Sequence, residues 1–315
     1  MTIEISAVIA TYQRASLLAG ALDALAAQEV PCSTKWEIIV VDNNSQDHTA
    51  DVVEAFANRS AIQVSYVFEP TQGLSRARNR GIKEARGSII AFMDDDVLPA
   101  PDWIAQVNAA IGRWSAQGIG GRILAQWDAS PPRWLTSNVH LMDRLAIMEF
   151  GESRVLCHPM KGRPQVWGAN MAFRREVFEK IGGFDHARGI VGTKLFRGEE
   201  VDLVNRALER GLRIVYDPSV VVVHRIGRAR LQKSYFRKLE FDAAQGEADA
   251  KSMDGRAIFG APLWLYSVVF MAFWKWVSLL LSRRSGGFDR QLDCLRWMGR
   301  LSGYWKLSRG WIPGS

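Results

Sequence analysis

Short apolar segments alternate with amphipathic segments along the N-terminal third of the chain. The apolar segments are rich in Val, Ile and aromatic side chains, as expected of strands that are covered on both faces of a sheet. The segments between them place apolar residues three or four positions apart, which predicts helices. Strands that alternate with helices predict an α/β fold with a Rossmann-like, mostly parallel sheet flanked by helices. The four predicted strands are Ile5–Ala10, Trp36–Val41, Gln63–Phe68 and Ser88–Met93.

The pattern becomes irregular after Gly112, and the residues up to Pro164 predict no definite element. A strand over Gln165–Phe173 and a short helix that ends at Gly182 follow. Further along, a helical pattern is closed by a glycine and is followed by two β-branched, apolar runs. These last elements are a helix over Glu200–Arg210 and strands over Arg213–Tyr216 and Val220–Val223.

Polar side chains follow each of the first four predicted strands. Ligands of parallel sheets bind beyond the carboxyl ends of the strands, and these side chains suit a base, a ribose and phosphates. The sequence contains neither GxGxxG nor GxxxxGK[ST], which argues against a dinucleotide oxidoreductase and a P-loop enzyme. The polar residues are Thr11–Arg14 after the first strand, Asp42–Ser45 after the second, Gly73–Asn79 after the third and Asp94–Asp96 after the fourth.

Three consecutive aspartates end the fourth predicted strand. Like charges a few ångströms apart repel one another unless a cation joins them. In an extended chain Asp94 and Asp96 point to one side and Asp95 to the other. Carboxylate oxygens suit Mg²⁺ or Mn²⁺, and either ion commonly bridges to a diphosphate. A metal site is therefore one interpretation, and a solvated turn or a helix cap is the other.

Six short motifs, taken in their order along the chain, resemble those of the family-2 glycosyltransferases. The resemblance covers about Ile3 to His224, and it implies the GT-A fold. The motifs are Ala10-Thr11-Tyr12-Gln13-Arg14, Val41-Asp42-Asn43-Asn44-Ser45, Gly73-Leu74-Ser75-Arg76-Ala77-Arg78-Asn79, Met93-Asp94-Asp95-Asp96, Gly168-Ala169-Asn170 and Gly198-Glu199-Glu200-Val201-Asp202-Leu203.

The resemblance implies an inverting glycosyltransferase that uses a nucleotide diphosphate sugar, with a UDP-sugar as the expected donor. A carboxylate would take the proton of the attacking hydroxyl, and a divalent metal, Mn²⁺ or Mg²⁺, would stabilise the leaving diphosphate. The implied base is Glu200, with Glu199 as the alternative, because the chain has Glu-Glu where the family usually has Glu-Asp.

The resemblance also assigns residues to each part of the site. It places Asp42 at the nucleobase and Arg78 near the diphosphate. His224 is implied as a metal ligand, although a packed histidine is the alternative. Trp167 is a candidate on its residue type, since an aromatic ring can stack on a sugar, although a buried aromatic side chain is the alternative. The implied nucleotide-binding residues are Ala10, Thr11, Tyr12, Arg14, Asp42, Asn44, Gly73, Arg78, Asp94 and Asp95; the metal ligands are Asp96, Asp94 and His224; the donor and acceptor pocket comprises Trp167, Gly168, Ala169, Asn170 and Asp202.

The C-terminal region differs in composition from the rest of the chain. The net charge is +7, and residues 225–315 carry 16 basic and 7 acidic side chains together with six of the 12 tryptophans. The apolar run from Ile258 to Leu281 approaches the ~20 residues of a membrane span. Pro262 and Lys275 argue against an ideal span, because a lysine at bilayer depth costs ~2.5 to 3.5 kcal/mol. We expect helices that lie in or dip into the interface.

A second segment, around Leu292 to Trp305, has the composition of an in-plane amphipathic helix. The alternative is that these helices pack on the preceding domain or form a dimer interface. Nucleic acid is not expected as a partner, because the run between the basic clusters is continuously apolar.

These observations predict a GT-A catalytic domain over residues 1–228 and a helical, basic, Trp-rich membrane-associating region over residues 229–315. No secretion signal is apparent and the three cysteines suit a reducing compartment, so we expect a peripheral or monotopic protein at the cytoplasmic face of the cell membrane. The expected acceptor is a growing surface glycan on a polyprenyl-phosphate carrier. The alternatives are a sugar nucleotidyltransferase, whose basic glycine-rich N-terminal loop is absent, and a catalytically silent nucleotide-sugar-binding scaffold.

Overall fold

The computed structural model describes residues 3–157, 166–186, 198–248, 257–282 and 286–310. These residues divide into two compact units. The first holds the described residues of Met1–Asp185 and Glu199–Arg228, and the second holds those of His186–Gly198 and Ala229–Ser315. The assignment of a catalytic and a membrane-associating function to the two regions stays a prediction.

The N-terminal part of the first unit alternates strands and helices as the sequence pattern predicts. Each of the four predicted strands is present and differs from its predicted bounds by at most one residue at each end. The elements are β1 (Ile5–Thr11), α1 (Ala15–Ala26), β2 (Trp36–Asp42), α2 (Thr49–Ala57), β3 (Gln63–Phe68), α3 (Leu74–Glu84), β4 (Ile89–Asp94), β5 (Val97–Pro99) and α4 (Trp103–Arg113).

The later part of the first unit contains elements that the sequence pattern did not predict. The segment after Gly112 forms a ten-residue strand, and the two strands predicted before His224 are one continuous strand of 13 residues. The strand predicted from Gln165 is shorter; Gln165 itself lies outside the described residues. The elements are β6 (Gly118–Trp127), α5 (Arg133–Thr136), α6 (Val139–Arg144), β7 (Val155–Leu156), β8 (Met171–Arg174), α7 (Arg175–Ile181), α8 (Glu199–Glu209) and β9 (Ile214–Ile226).

One mixed sheet organises the first unit, with the strand order β3-β2-β1-β4-β8-β6-β9-β5 and β7 paired to β9. The pairs β1–β2, β2–β3, β1–β4 and β6–β9 are parallel, whereas β8 runs antiparallel to β4 and β6. Buried side chains cover both faces: Ile9 packs with Leu18 and Leu22 on one face, and Val8 packs with Phe92 on the other. Each such side chain contributes roughly 1.5–3 kcal/mol on burial.

The second unit is helical. It contains a short 3₁₀ turn (Arg228–Leu231, shared with the end of the first unit), α9 (Lys233–Gly246), the strand pair β10 (Ala257–Ile258) and β11 (Ala261–Pro262), α10 (Leu263–Leu281) and α11 (Gly287–Leu307). Arg283, Arg284 and Trp311, which are among the basic residues and tryptophans of this region, lie outside the described residues.

Helix α11 packs closely on α9 through two glycines. A Cβ on Gly299 would lie 2.2 Å from the carbonyl oxygen of Phe241, and one on Gly303 would lie 2.4 Å from that of Gln245. Part of the apolar surface of α11 is therefore buried inside the unit, whereas Met298 and Trp305 are exposed, and the in-plane orientation of this helix stays a prediction. The buried members of this surface are Leu292, Cys294, Leu301 and Tyr304.

Helix α10 carries the exposed apolar surface of this unit. Among the residues that the structure describes, it is the one helix long and apolar enough to cross a membrane, judged by length and composition alone. Leu265 is its one fully buried residue.

Candidate active site

The predicted polar turns meet at the carboxyl edge of the parallel strands. The strand register places Thr11 beside Asp42 and Ala10 beside Asp94. Because β1 lies between β2 and β4, the motifs that follow these three strands share one edge of the sheet. This is the edge at which ligands of parallel α/β sheets bind.

Asp42 is buried and held by two hydrogen bonds. Its Oδ1 accepts a hydrogen bond from the backbone N–H of Ser45 (2.9 Å), and its Oδ2 accepts one from the hydroxyl of Tyr66 (2.8 Å). Burial and the neighbouring Asp42 carboxylate raise the pKa of Tyr66 to about 12, so the phenol keeps its proton and remains a donor. Tyr66 lies on β3 and was missed at the sequence level, because a tyrosine in a strand carries no motif.

Asn43 fixes the loop that leads into α3. Its Oδ1 accepts a hydrogen bond from Gly73 N–H (2.7 Å), and its Nδ2 donates to the carbonyl of Thr71 (2.8 Å). Gly73 has φ of 144°, a region that favours glycine. Asn44, the next residue, has φ of 66° and turns the chain after β2. Asn43 belongs to the Val41–Ser45 motif but is not among the predicted site residues.

Arg14 joins the second and third aspartates of the triplet. Its Nη1 lies 3.0 Å from Asp95 Oδ1 and 3.1 Å from Asp96 Oδ2, and Thr11 Oγ1 donates to Asp95 Oδ2 (2.8 Å). Burial raises the pKa of Asp95 to about 6, although Arg14 opposes the shift. The Asp95 carboxylate in turn raises the pKa of Arg14. Asp95 therefore serves the internal network of the loop.

Asp96 and His224 lie on neighbouring segments and converge. Val97 is paired with His224 between β5 and β9, and the backbone N–H of Arg225 donates to Asp96 O (2.9 Å). Asp96 Oδ1 lies 3.4 Å from His224 Nε2, and both side chains are buried. The Asp96 carboxylate suits Mn²⁺ or Mg²⁺, and the imidazole nitrogen beside it is acceptable to Mn²⁺. Within the described part of the chain, no three His, Cys, Asp or Glu side chains already form a metal-binding group.

Arg78 connects the aspartate motif to the glutamate pair. Its guanidinium is buried and lies 3.1 Å from Asp94 Oδ1, 3.1 Å from Glu199 Oε1 and 3.4 Å from Glu200 Oε1. It also stacks over the ring of Phe184, 5.5 Å from the centroid. Burial alone would lower the pKa of Arg78, but the three carboxylates outweigh it and raise that pKa. Asp94, the other predicted metal ligand, is thus paired with an arginine.

The two glutamates at the start of α8 have different surroundings. Glu199 is 2% exposed, and burial together with the charge of Glu200 raises the pKa of Glu199 to about 8, while Arg78 opposes this shift. Its Oε2 is buried without a hydrogen-bond partner. Glu200 has 12% of its side chain exposed, and its Oε1 accepts a hydrogen bond from Gly168 N–H (3.2 Å). Glu200 is therefore the accessible, oriented carboxylate of the pair.

The remaining predicted pocket residues divide between this cluster and the interior. The backbone N–H of Gly168 donates to Glu200 Oε1, and a Cβ at this position would lie 2.0 Å from Arg78 Nη2. Asn170 is fully buried: its Oδ1 accepts from Trp103 Nε1 (2.9 Å), and its Nδ2 donates to the carbonyls of Arg122 (3.0 Å) and Val220 (2.9 Å). The Asn170 amide thus bridges helix α4 and strands β6 and β9. Its predicted role in the pocket stays a prediction.

Three further predicted residues stand apart from the charged cluster. Asp202 pairs with Arg206 on the next turn of α8 (2.8 Å). Ala169 is buried, and Trp167 is partly buried against the core. On the nucleotide side, Ala10 and Tyr12 flank Thr11 at the end of β1.

Comparison with known proteins gives a consistent result. The sequence model of Glycosyl transferase family 2 matches residues 6–182, which is more than half of the chain. The chain is 26% identical over 264 residues to Glycosyltransferase AglE of Haloferax volcanii, covering 83% of this chain and 79% of the relative. It is 26% identical over 245 residues to the succinoglycan biosynthesis protein ExoM of Rhizobium meliloti, covering 78% and 74%.

A third relative, the glucosyl-dolichyl phosphate glucuronosyltransferase of Haloferax volcanii, is 27% identical over 197 residues, which are 62% of this chain. The match spans 60% of that relative's length.

Solved structures share the fold. A mannosyltransferase from Pyrobaculum calidifontis, in complex with GDP-Man and Mn²⁺, matches with a TM-score of 0.58 and 19% identity over 97% of this chain and 87% of its own. Residues 1–349 of S. aureus TarS, in complex with UDP, match with a TM-score of 0.52 and 15% identity over 98% and 92%. The predicted GT-A architecture is confirmed. The chain belongs to glycosyl transferase family 2.

Proposed function

We propose that the chain transfers a sugar from a nucleotide diphosphate sugar, with a UDP-sugar as the expected donor, to a hydroxyl of a growing lipid-linked surface glycan, with inversion at the anomeric carbon. The observation that carries the proposal is the position of Arg78, which contacts Asp94 on one side and Glu200 on the other. Asp94, on the donor side, and the accessible carboxylate of Glu200 thus both contact the buried guanidinium of Arg78.

Glu200 is proposed as the general base. A sugar hydroxyl is a poor nucleophile, so a carboxylate must accept its proton as it attacks. Gly168 N–H and Arg78 both contact Glu200 Oε1, and these two contacts orient the carboxylate. Glu199 is the weaker candidate, because its buried carboxyl has a raised pKa and holds a proton at neutral pH.

The proposed nucleotide contacts lie at and near the carboxyl ends of the parallel strands. Asp42 is proposed to contact the base, with Ala10, Thr11, Tyr12 and Asn44 lining its pocket. Arg78 and the loop at Gly73 would face the diphosphate. Asp96 and His224 would hold Mn²⁺ or Mg²⁺ with Asp94 beside them, and the bound ion would stabilise negative charge on the leaving diphosphate. The complex of a structural neighbour with GDP-Man and Mn²⁺, and that of another with UDP, support this assignment.

The acceptor is proposed from the relatives and from the second unit. One relative is named for a dolichyl-phosphate-linked sugar and another for succinoglycan biosynthesis. An exposed, apolar α10 beside a basic α11 suits an anionic membrane surface, where a lipid carrier would present the glycan. A peripheral or monotopic enzyme at the cytoplasmic face of the membrane is consistent with these features.

Release of nucleoside diphosphate from a panel of sugar donors tests the proposal. The assay compares the wild type with Asp96→Asn, Glu200→Gln and Glu199→Gln, in Mn²⁺, in Mg²⁺ and in excess chelator. We expect Glu200→Gln to lower kcat by about 10²–10⁴ while donor affinity is retained, because only the proton acceptor is lost. We expect Glu199→Gln to keep much more activity, and the chelator to abolish turnover until metal is restored.

Three results would contradict the proposal. Full turnover in Glu200→Gln with loss in Glu199→Gln would reverse the assignment of the base. Donor binding without any turnover would indicate a silent scaffold, and consumption of a nucleoside triphosphate with a sugar phosphate would indicate a nucleotidyltransferase.

A further inference from the structure

Helix α10 has two apolar faces, and only one of them is covered. Leu265 is buried, and Tyr266 and Val269 pack with it against α11. At 100° per residue, Phe270, Trp274 and Leu281 lie on the opposite side of the helix. The exposed large apolar residues of α10 are Leu263, Trp264, Phe270, Met271, Phe273, Trp274, Leu280 and Leu281, with exposures of 40–79%.

Helix α11 runs antiparallel along the covered face of α10. Trp264 packs edge-on against Trp297, and Trp305 Nε1 donates a hydrogen bond to the hydroxyl of Tyr266 (2.9 Å). At the other end, a Cβ added to Gly287, the first residue of α11, would lie 4.0 Å from Leu280 Cδ2. The two helices are therefore in contact near both ends of α10.

The charges of α11 bear on the membrane geometry. This helix carries charged side chains along its length, at Asp289, Arg290, Asp293, Arg296, Arg300 and Lys306. If α10 crossed the hydrocarbon core, these side chains would have to accompany it. Charged residues in the core are strongly disfavoured on insertion scales. The packing therefore opposes a transmembrane orientation that composition alone would allow.

Lys275 is the one charged residue of α10, and its position fits a helix that lies in the plane of the membrane. Lys275 follows Trp274 in sequence, so it stands about 100° around the helix from the centre of the exposed face. At that edge a lysine stem can reach the headgroups while its neighbours are buried in acyl chains. The basic excess of the region complements anionic lipid headgroups.

We propose that α10 lies in the plane of an anionic bilayer, with its exposed face in one leaflet and α11 on the water side, so that this helix pair does not cross the membrane. The inference deepens the proposed membrane association and rests on it, but it does not depend on sugar transfer. A second copy of the chain is the other possible occupant of the face, and the single charge at its edge, with tryptophans within it, favours lipid.

Flotation of the full chain with vesicles of phosphatidylcholine and phosphatidylglycerol tests the surface. We expect the double variant Phe270→Glu/Trp274→Glu to weaken partitioning about a hundredfold, since both aromatic side chains lose their apolar contacts. The matched control is Val139→Glu/Leu156→Glu, which changes two exposed apolar residues of the first unit and should bind as the wild type does. Equal melting temperatures and equal nucleotide affinity show that the variants are folded.

Labelling tests the orientation. Phe259→Cys and Ser282→Cys flank α10, and each is exposed to a membrane-impermeant maleimide added outside the vesicles, with modified positions read by peptide mass spectrometry. We expect both to be labelled without detergent. Protection of either site until detergent is added would overturn the in-plane orientation. Unchanged flotation of the double glutamate variant would overturn the lipid-facing assignment. So would a wild-type dimer that the double substitution dissociates while lipid binding persists. Diphosphate release from a soluble donor, measured in parallel, reports separately on the proposed transfer.

Discussion

Gly168 and Glu200 approach so closely that no residue larger than glycine fits at position 168. The backbone N–H of Gly168 lies 3.2 Å from Glu200 Oε1, although 32 positions separate the two in sequence. A Cβ on residue 168 would lie 2.5 Å from Glu200 Oε1 and 2.0 Å from Arg78 Nη2. The glycine is therefore required by contact with the two charged groups of the site.

Gly168→Ala should impair transfer more than it impairs folding. The added methyl must displace Arg78 or Glu200, and a misplacement of about 1 Å at a reacting group costs roughly a hundredfold in rate. Steady-state kcat/KM and thermal melting measure the two effects. Gly112→Ala, with no atom within 4 Å of its Cβ, is the matched control and should be as active as the wild type and slightly more stable. Wild-type activity in Gly168→Ala would contradict the proposed orientation of the base.

Glu199→Gln should change how stability depends on pH. The pKa of Glu199 is about 8 in the folded chain, against roughly 4.3 when unfolded, so the native state binds the extra proton between these values. The free energy of unfolding of the wild type therefore falls as pH rises from about 4.3 to about 8. The glutamine removes this loss. The melting temperature of the variant, relative to that of the wild type, should therefore increase from pH 5 to pH 9.

Glu209→Gln, at the exposed end of the same helix, is the control and should follow the wild-type curve. Parallel curves for wild type and Glu199→Gln would show that the buried carboxyl holds no proton.

Glu37 stabilises the edge of the sheet opposite the site, and its contribution should be lost in acid. Ser6 Oγ, Arg86 N–H and the Arg86 guanidinium all donate to its buried carboxylate. Burial by itself would raise the pKa of Glu37, but these donors outweigh it and lower that pKa. The stabilisation is therefore present above the unfolded value of about 4.3 and is lost as pH falls through the lower folded pKa.

Glu37→Gln should cost about 1–2 kcal/mol in unfolding free energy at pH 7, and the difference from wild type should shrink below pH 4. Urea denaturation at several pH values measures it. Glu84→Gln, in an exposed pair with Arg80, should stay within about 0.5 kcal/mol of the wild type. An undiminished difference at low pH would argue against this mechanism.

Asn170→Ala should lower stability by about 2–4 kcal/mol, because the indole N–H of Trp103 and two backbone carbonyls would lose their buried partner. Chemical denaturation measures this loss, with exposed Asn58→Ala as the control. If Asn170→Ala kept its stability and raised only the KM for donor or acceptor, a binding role would explain Asn170 better than a structural one.

The first four strands could be predicted from the sequence, because their apolar runs are local and the polar turns that follow them fall at strand ends. The sequence also placed Asp94–Asp96 beside the nucleotide motifs, since parallel strands end at one edge. It did not predict β6, whose segment begins Gly118-Ile119-Gly120-Gly121. Gly121 is needed there because a Cβ would lie 2.1 Å from the carbonyl oxygen of Val220, a neighbour distant in sequence.

The different surroundings of Glu199 and Glu200 depend on tertiary contacts. Adjacent residues of one type are equivalent in a sequence, whereas burial, the Gly168 N–H and the guanidinium of Arg78 make one neutral and enclosed and the other accessible and oriented. The same holds for α10 and α11, whose compositions both suit a membrane. Helix packing buries Leu292, Leu301 and Tyr304 of α11 and leaves most of the large apolar residues of α10 exposed, because burial depends on neighbours that the local pattern does not specify.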